Sequence, residues 1–220
     1  MSPEEVRAQI ESLTADLIEI GLCNHQKFPS LRTEGPIAEV AIPGITNLSI
    51  VLKNIPYAEI YTELLGSQCY NLRMVDGALI QMMYRFADGN IRSHRLAFFP
   101  SPDLAEFQNN AEIYETDEIF ADVIARNIVV FPIRFDFDGT DEVFREIHHP
   151  RSHLTLGQYQ NCRIPVSAPV TPFWFIDFVL RNFYNTAHRK YCDDIRSLDG
   201  QFDPTIANAE KAVIHIQIPA

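Results

Sequence analysis

Apolar side chains in the first twenty residues recur with the period of an α-helix. Ser2 can cap the first turn, Pro3 suits the first helical position, and Gly21 supplies a stop signal. The pattern predicts a helix from about Pro3 to Ile20 that docks on a core. The predicted buried face consists of Val6, Ile10, Leu13 and Leu17.

Alternation of apolar and polar side chains predicts most of the strands. Segments 78–86 and 91–99 form a hairpin, because Asp88-Gly89 between them suits a two-residue turn that requires positive φ. The strand predicted at 128–138 alternates strictly from Ile133 onward, and Pro132 favours an edge or a bulge there. Further strands are predicted at 48–52, 151–157, 161–166 and 212–218.

Three further helices complete the prediction, at about 57–65, at about 116–123, and from Thr171-Pro172 to about 195. The last of these is apolar nearly all round in its first turns, which is typical of a central helix. Segment 22–47 carries several prolines and glycines and is predicted to be loop. Hairpins and separate helices favour a single α+β domain over residues 1–220. We expect an antiparallel sheet with helices packed on one face, an N-terminal helix and a long C-terminal helix.

The composition supports an ordered domain and limits the classes of partner that the protein is expected to bind. The chain has 220 residues, of which 46% are hydrophobic and 21% charged, so it can bury a core. Its net charge of −11 repels polyanions at long range, so nucleic-acid binding would require a local basic patch. The four cysteines form no CxxC pair, and neither a signal peptide nor a membrane span is recognisable. These features predict a cytoplasmic protein without a membrane partner.

The densest polar segment, 148–163, holds three of the seven histidines and two arginines. If its strand pairs with the strand that bears Asp136, and the C-terminal strand joins them, many polar side chains share one sheet face. That predicted face comprises Arg134, Asp136, Asp138, Arg151, His153, Thr155, His215 and Gln217.

Such a set of side chains suits cleavage of a phosphodiester. His153 and His215 would be the acid and base, and Asp136 would orient His153. The predicted substrate contacts are Arg134, Arg151, Thr155 and Arg163. Two alternatives stay open: a solvated sheet face without function, and a divalent ion bound by Asp136, Asp138 and His149. No motif for an organic cofactor is present, so no cofactor is predicted beyond that metal alternative.

Two resemblances bear on function. His153-Leu154-Thr155-Leu156 is similar to one half of the two-histidine phosphoesterases, which carry two His-x-Ser/Thr motifs, although the second candidate, at His215, has Gln217 in place of the hydroxyl residue. The longer run HPRSHLTLGQYQNCRIPVSAPVT from His149, with FVLRNFY from Phe178, resembles a bacterial family catalogued as a domain of unknown function. This second resemblance implies a stand-alone bacterial intracellular protein and carries no activity with it.

The sequence therefore supports two functional hypotheses. The first is a nuclease or phosphodiesterase that acts on RNA or a nucleotide. The second is a non-catalytic subunit that binds a larger protein in a bacterial multi-protein system, for instance one of a defence type. The acidic charge, the incomplete catalytic motif and the proline-rich segment 29–43 favour the second hypothesis.

Overall fold

The computed structural model describes residues 1–45, 55–102, 130–159 and 161–219. The helices in these ranges are α1 (Pro3–Glu19), α2 (Tyr57–Gly66), α3 (Pro172–Phe183), α4 (Asn185–Tyr191) and α5 (Asn208–Lys211), with a 3₁₀ turn at Cys192–Asp194. The strands are β1 (Cys23–Gln26), β2 (Ser30–Glu34), β3 (Ile37–Ala41), β4 (Leu72–Met74), β5 (Leu79–Ala87), β6 (Asn90–Phe99), β7 (Ile133–Asp138), β8 (Ser152–Leu156) and β9 (Ile164–Pro165).

All nine of these strands belong to one antiparallel sheet. Its main order is β1-β4-β5-β6-β7-β8-β9. Along the edge of β5 that faces away from β6, β4 pairs with the start of β5 and β3 pairs with its end. β2 then pairs with β3. The predicted α+β class with an antiparallel sheet, an N-terminal helix and C-terminal helices is confirmed.

One face of the sheet forms the main core beneath α1 and α3. The four predicted face residues of α1 are all fully buried, and a capping box joins Ser2 and Glu5 at its start. They pack with the inward side chains of the sheet, including Ile80, Leu96 and Phe135. Burial of each such aliphatic side chain stabilises the fold by roughly 1.5–3 kcal/mol. A change such as Leu13→Ala would therefore cost about 2–5 kcal/mol.

The opposite face of the sheet is divided between a second core and a polar region. Ile60, Tyr61 and Leu64 of α2 pack at one end, against Leu79 and Phe99. Further along β6, β7 and β8 the same face carries charged and polar side chains, because residues of alternate positions point to it. Most of the predicted site residues converge at this polar region, with Arg151 and His215 as the exceptions.

Several predicted elements agree with the structure. The hairpin is β5 and β6, and the alternating segments correspond to β7 and β8. The segment predicted at 161–166 contains β9. The strand predicted at 48–52 and the helix predicted near 116–123 lie outside the described residues.

Three predicted elements are wrong. Segment 22–47 is not loop, since it contains β1, which pairs with β4, and the hairpin of β2 and β3, in which β3 also pairs with β5. The C-terminal strand is reduced to one bridge between Ile216 and Val166. The last long helix is interrupted at Tyr184, whose buried phenol donates to Asp76 at 2.8 Å and fixes a non-helical backbone. None of the helices in the described residues has the length and apolarity to cross a membrane.

Candidate functional site

A cavity of about 950 Å³ opens on the polar region of the sheet. Its size falls within the range of small-molecule sites, which is roughly 300–1,000 Å³. The charged and polar residues that line it in the described part of the chain are Glu39, Tyr84, Arg85, Ser93, His94, Arg95, Arg134, Asp136, Asp138, His149, His153, Thr155, Gln158, Tyr159, Asn161 and Arg163. The described lining includes four arginines against three carboxylates, so it is locally positive in a chain of net charge −11.

The strand register brings the central side chains together. Asp136 lies opposite Arg95 on β6 and opposite His153 on β8, so the three form a row across the sheet. Arg134 lies opposite Thr155 in the adjacent row. Directly opposed residues in an antiparallel ladder project to the same face. The predicted adjacency of the strands that bear Asp136 and His153 is therefore correct.

The guanidinium of Arg134 is largely buried, and some of its N–H groups have no hydrogen-bond acceptor among the described residues. Only 13% of its side chain is exposed. Its Nε and Nη1 atoms are buried and have no hydrogen-bond partner in the described structure, and the carboxylate of Asp136 comes no nearer than 3.9 Å to Nε. Burial lowers the pKa of Arg134, and Asp136 acts against that shift. Arg134 lines the cavity, so an anion bound there would lie beside a guanidinium that its protein neighbours only partly satisfy.

His153 is held in one tautomer by the backbone. Its Nδ1 lies 2.9 Å from the carbonyl oxygen of Pro150, which can only accept, so Nδ1 carries the proton. Nε2 is then the unprotonated nitrogen of the neutral ring. Burial lowers the pKa of His153, partly offset by the negative charge of Asp136. The neutral ring at pH 7 can therefore act as a general base.

A second imidazole lies beside the first. The ring of His149 is 5.3 Å from that of His153, centroid to centroid. Its Nδ1 donates to the carbonyl oxygen of Val143 at 2.7 Å, which leaves Nε2 for a ligand. Backbone hydrogen bonds in both directions between Arg145 and His149 fix the loop that carries the ring. Two histidines with their Nδ1 atoms anchored to carbonyls thus share one cavity.

Asp136 does not have the role predicted for it. Its Oδ1 accepts from Nε of Arg95 at 3.4 Å, and Pro150 rather than Asp136 orients His153. Asp136 compensates the charges of Arg95 and Arg134, and it affects His153 only through space. The predicted orienting contact is therefore corrected.

The other predicted residues divide into two groups. Thr155 and Arg163 line the cavity, and their role as substrate contacts stays a prediction. Arg151 does not, because it precedes the strand and turns to the adjacent loop. There it donates to Gly139 at 2.8 Å, pairs with Asp141, and lies over the ring of Phe144.

His215 also lies outside the lining of this cavity. Its segment contacts β9 on the side away from β8, which separates it from His153 by two strand spacings, roughly 10 Å. Its Nδ1 donates to the carbonyl oxygen of Val213 at 3.0 Å. The structure thus brings His149, rather than His215, next to His153.

The structure does not support the alternative in which Asp136, Asp138 and His149 bind a divalent ion. No three His, Cys, Asp or Glu side chains of the described residues converge closely enough to hold a metal ion. Asp138 instead accepts from the backbone and hydroxyl of Thr140, at 2.8 and 2.6 Å. The side chains present are suited to an anion.

Arg95 and Tyr159 are among the lining residues that the sequence reasoning did not assign to the site. Arg95 lies on β6 opposite Asp136, and Tyr159 lies after β8 at the rim of the cavity. The signal for Arg95 was present in the hairpin, where it alternates with the buried Leu96 and His94. Tyr159 is 74% exposed, and nothing in its sequence context distinguishes it from a surface loop residue.

The comparisons with known proteins place the chain in one family. A family model described as uncharacterized conserved protein (DUF2290) matches residues 22–218. The chain belongs to that family, which is consistent with the resemblance to a domain of unknown function. No curated protein and no solved structure matches the chain.

Proposed function

We propose that this member of the DUF2290 family is a phosphodiester-cleaving enzyme that acts on RNA or a nucleotide. One observation carries the proposal: the cavity is lined both by Arg134, a largely buried guanidinium that lacks hydrogen-bond acceptors at Nε and Nη1 in the described part of the chain, and by His153, whose Nε2 is unprotonated. An anion-binding group and a base in one concave site are the two elements that such a reaction requires.

The chemistry uses the two histidines in different roles. Nε2 of His153 takes the proton of a hydroxyl, from the substrate ribose or from water, and the resulting oxygen attacks phosphorus. The bond from phosphorus to the leaving oxygen breaks, and His149 in its protonated form gives that oxygen a proton. Arg134 and Arg95 stabilise the negative charge that develops on the phosphoryl oxygens. This assignment replaces His215 by His149 as the partner of His153.

Electrostatics favours an anionic substrate in this cavity. The chain as a whole is acidic, so it repels polyanions at long range. The described lining has the reverse sign, since its four arginines outnumber its carboxylates. A short nucleotide or the end of an RNA strand fits these charges better than a long duplex, because the repulsion by the acidic chain grows with the charge of the ligand.

The test is cleavage of labelled RNA, DNA and cyclic nucleotides, each with and without a chelator. His153→Gln is expected to lower the rate by roughly 10²–10⁴-fold, and Arg134→Gln by roughly 10²–10³-fold. His148→Gln is the matched control, because His148 is exposed beside His149 and does not line the cavity. His215→Gln separates the two choices of partner histidine. If the wild-type protein cleaves no substrate under any condition, the proposal is wrong.

A second candidate function is a subunit that binds a larger protein, as the sequence also suggested. It is favoured by Val213 and Ile214, which are 38% and 90% exposed at the C-terminal segment. Ile147 is also exposed and is tied to the same region by a hydrogen bond from its backbone N–H to Glu210. Co-purification with a defined partner that is lost in Ile214→Ser and retained in His153→Gln would support this function.

A further inference from the structure

A second, mostly apolar concavity adjoins the cavity and shares Tyr159 and Asn161 with it. Its remaining described lining is Phe131, Leu156 and Cys162. Tyr159 and Phe131 are 74% and 43% exposed, although each is a large ring beside a polar site. Two exposed aromatic rings at one edge of an arginine-lined cavity favour binding of a ligand that has a flat apolar part.

The backbone fixes where these rings lie. Phe131 precedes β7 and Tyr159 follows β8, at the end of the ladder where the N–H of Gly157 donates to Pro132 at 2.7 Å. Gly157 has φ of +62°, and a Cβ at this position would contact both Phe131 and Tyr159 within 3.5–3.6 Å. Glycine permits the positive φ of this turn, and both side chains lie close to the same stretch of backbone.

The aromatic edge begins one step along the ladder from the arginine site. Arg134 pairs with Thr155, and Pro132 and Gly157 lie two residues beyond this pair. Two residues of a strand span roughly 7 Å, and Tyr159 lies two residues further along the chain while lining the same cavity as Arg134. A ligand with an anionic group on Arg134 and a flat ring against Tyr159 therefore needs a connector between the two, such as a pentose.

We propose that Tyr159 and Phe131 form a nucleobase subsite next to the phosphate site. A base stacks on the exposed ring of Tyr159 and enters the apolar concavity toward Phe131. The carboxamide of Asn161, on the border of both concavities, faces the polar edge of the base. This inference rests on the proposed function and narrows its substrate to a nucleoside phosphate or the end of a nucleic-acid strand.

The experiment is calorimetric titration of the full chain with AMP, UMP, ribose 5-phosphate and inorganic phosphate. None of these ligands contains a phosphodiester, so binding is read without turnover. We expect AMP to bind more tightly than ribose 5-phosphate, and Tyr159→Ala to weaken AMP roughly 5- to 150-fold. Tyr159→Ala should leave ribose 5-phosphate unchanged, and Tyr159→Phe should retain the preference for AMP. Arg134→Gln should weaken all four ligands.

The outcomes separate the two proposals. Equal binding of AMP and ribose 5-phosphate by the wild type would overturn the base subsite and leave the phosphate site in place. The same conclusion follows if Tyr159→Ala weakens both ligands equally, because the ring would then only support the fold of the rim. Binding of none of the four ligands would overturn the phosphate site and the base subsite together.

Discussion

The imidazole of His153 donates from Nδ1 to the carbonyl oxygen of Pro150 at a distance of 2.9 Å. This contact fixes the tautomer, and burial lowers the pKa of the ring below its ordinary value near 6.5. A general base works only when unprotonated. The acidic limb of the kcat/KM profile should therefore rise with pH through a midpoint below 6.5. A pH–rate profile between pH 4 and 8 measures that midpoint, and an acidic midpoint above 6.5 would assign the base to another group.

The variant Asp136→Asn also tests the assignment of His153 as the general base, because it removes a negative charge close to the ring. Asp136 raises the pKa of His153 without touching its ring nitrogen. Loss of that negative charge makes the imidazolium less stable, so the acidic midpoint of the profile should move to lower pH. A midpoint that stays at its wild-type position in this variant would show that His153 does not control the rate.

Arg134→Met should separate stability from ligand binding. The guanidinium is largely buried, and its Nε and Nη1 lack acceptors. A buried polar group without a partner costs about 1–3 kcal/mol, and an apolar replacement of similar shape can be stabilising. We expect the free energy of unfolding in urea to rise by about 1–3 kcal/mol while phosphate binding is lost. A clear loss of stability instead would mean that Arg134 supports the fold rather than a ligand.

The sequence predicts the fold correctly in segments whose conformation is determined by their own residues. The spacing of the α1 face, the cap at Ser2 and the turn at Asp88-Gly89 are such cases, and each agrees with the structure. β1 and β3 escaped prediction because they pair with strands distant in the chain, and the hairpin of β2 and β3 joins the sheet only through β3. The end of α3 escaped for the same reason, since the contact of Tyr184 with Asp76 spans 108 positions.

The site shows the same division. Strict alternation in β7 and β8 placed Arg134, Asp136, His153 and Thr155 on one face, and the register confirms that placement. Arg151 continues the alternation in the sequence, but β8 begins at Ser152, so its side chain is free to turn to the loop at Gly139. The alternation of apolar and polar residues also gave no information on His149, because His149 lies outside the strands. Its position is set by backbone hydrogen bonds with Arg145.

Asp76→Asn should be neutral or stabilising at pH 7. Oδ1 of Asp76 accepts from the N–H of Ala78 at 3.0 Å and from the phenol of Tyr184 at 2.8 Å, and the asparagine retains this acceptor. Burial raises the pKa of Asp76. The folded state therefore holds the proton more tightly than the unfolded state, and ionisation at higher pH costs stability. Urea unfolding at pH 7 measures the effect, with Asp76→Ala as the contrast, expected to lose about 1–3 kcal/mol. A loss in Asp76→Asn as large as that in Asp76→Ala would contradict this account.

His94 should make the fold sensitive to mild acid. Its Nε2 accepts from the N–H of Val170 at 2.9 Å inside the core, so protonation would remove this acceptor. Burial lowers the pKa of His94 to about 4, whereas the unfolded value is about 6.5. Between these values the unfolded state binds more protons than the folded state. The contribution of neutral His94 to the free energy of unfolding is therefore complete above pH 6.5 and is lost as the pH falls toward 4.

The size of this effect follows from the two pKa values. Between pH 7 and pH 5, His94 should account for about 2 kcal/mol of lost stability. His94→Gln can retain an acceptor for Val170 and does not titrate, so its urea unfolding should change less with pH by about that amount. Carboxylates and the other histidines titrate in both proteins and cancel in the comparison. Parallel pH dependences of the wild type and His94→Gln would show that His94 titrates alike in the folded and unfolded states, and that its burial does not control acid stability.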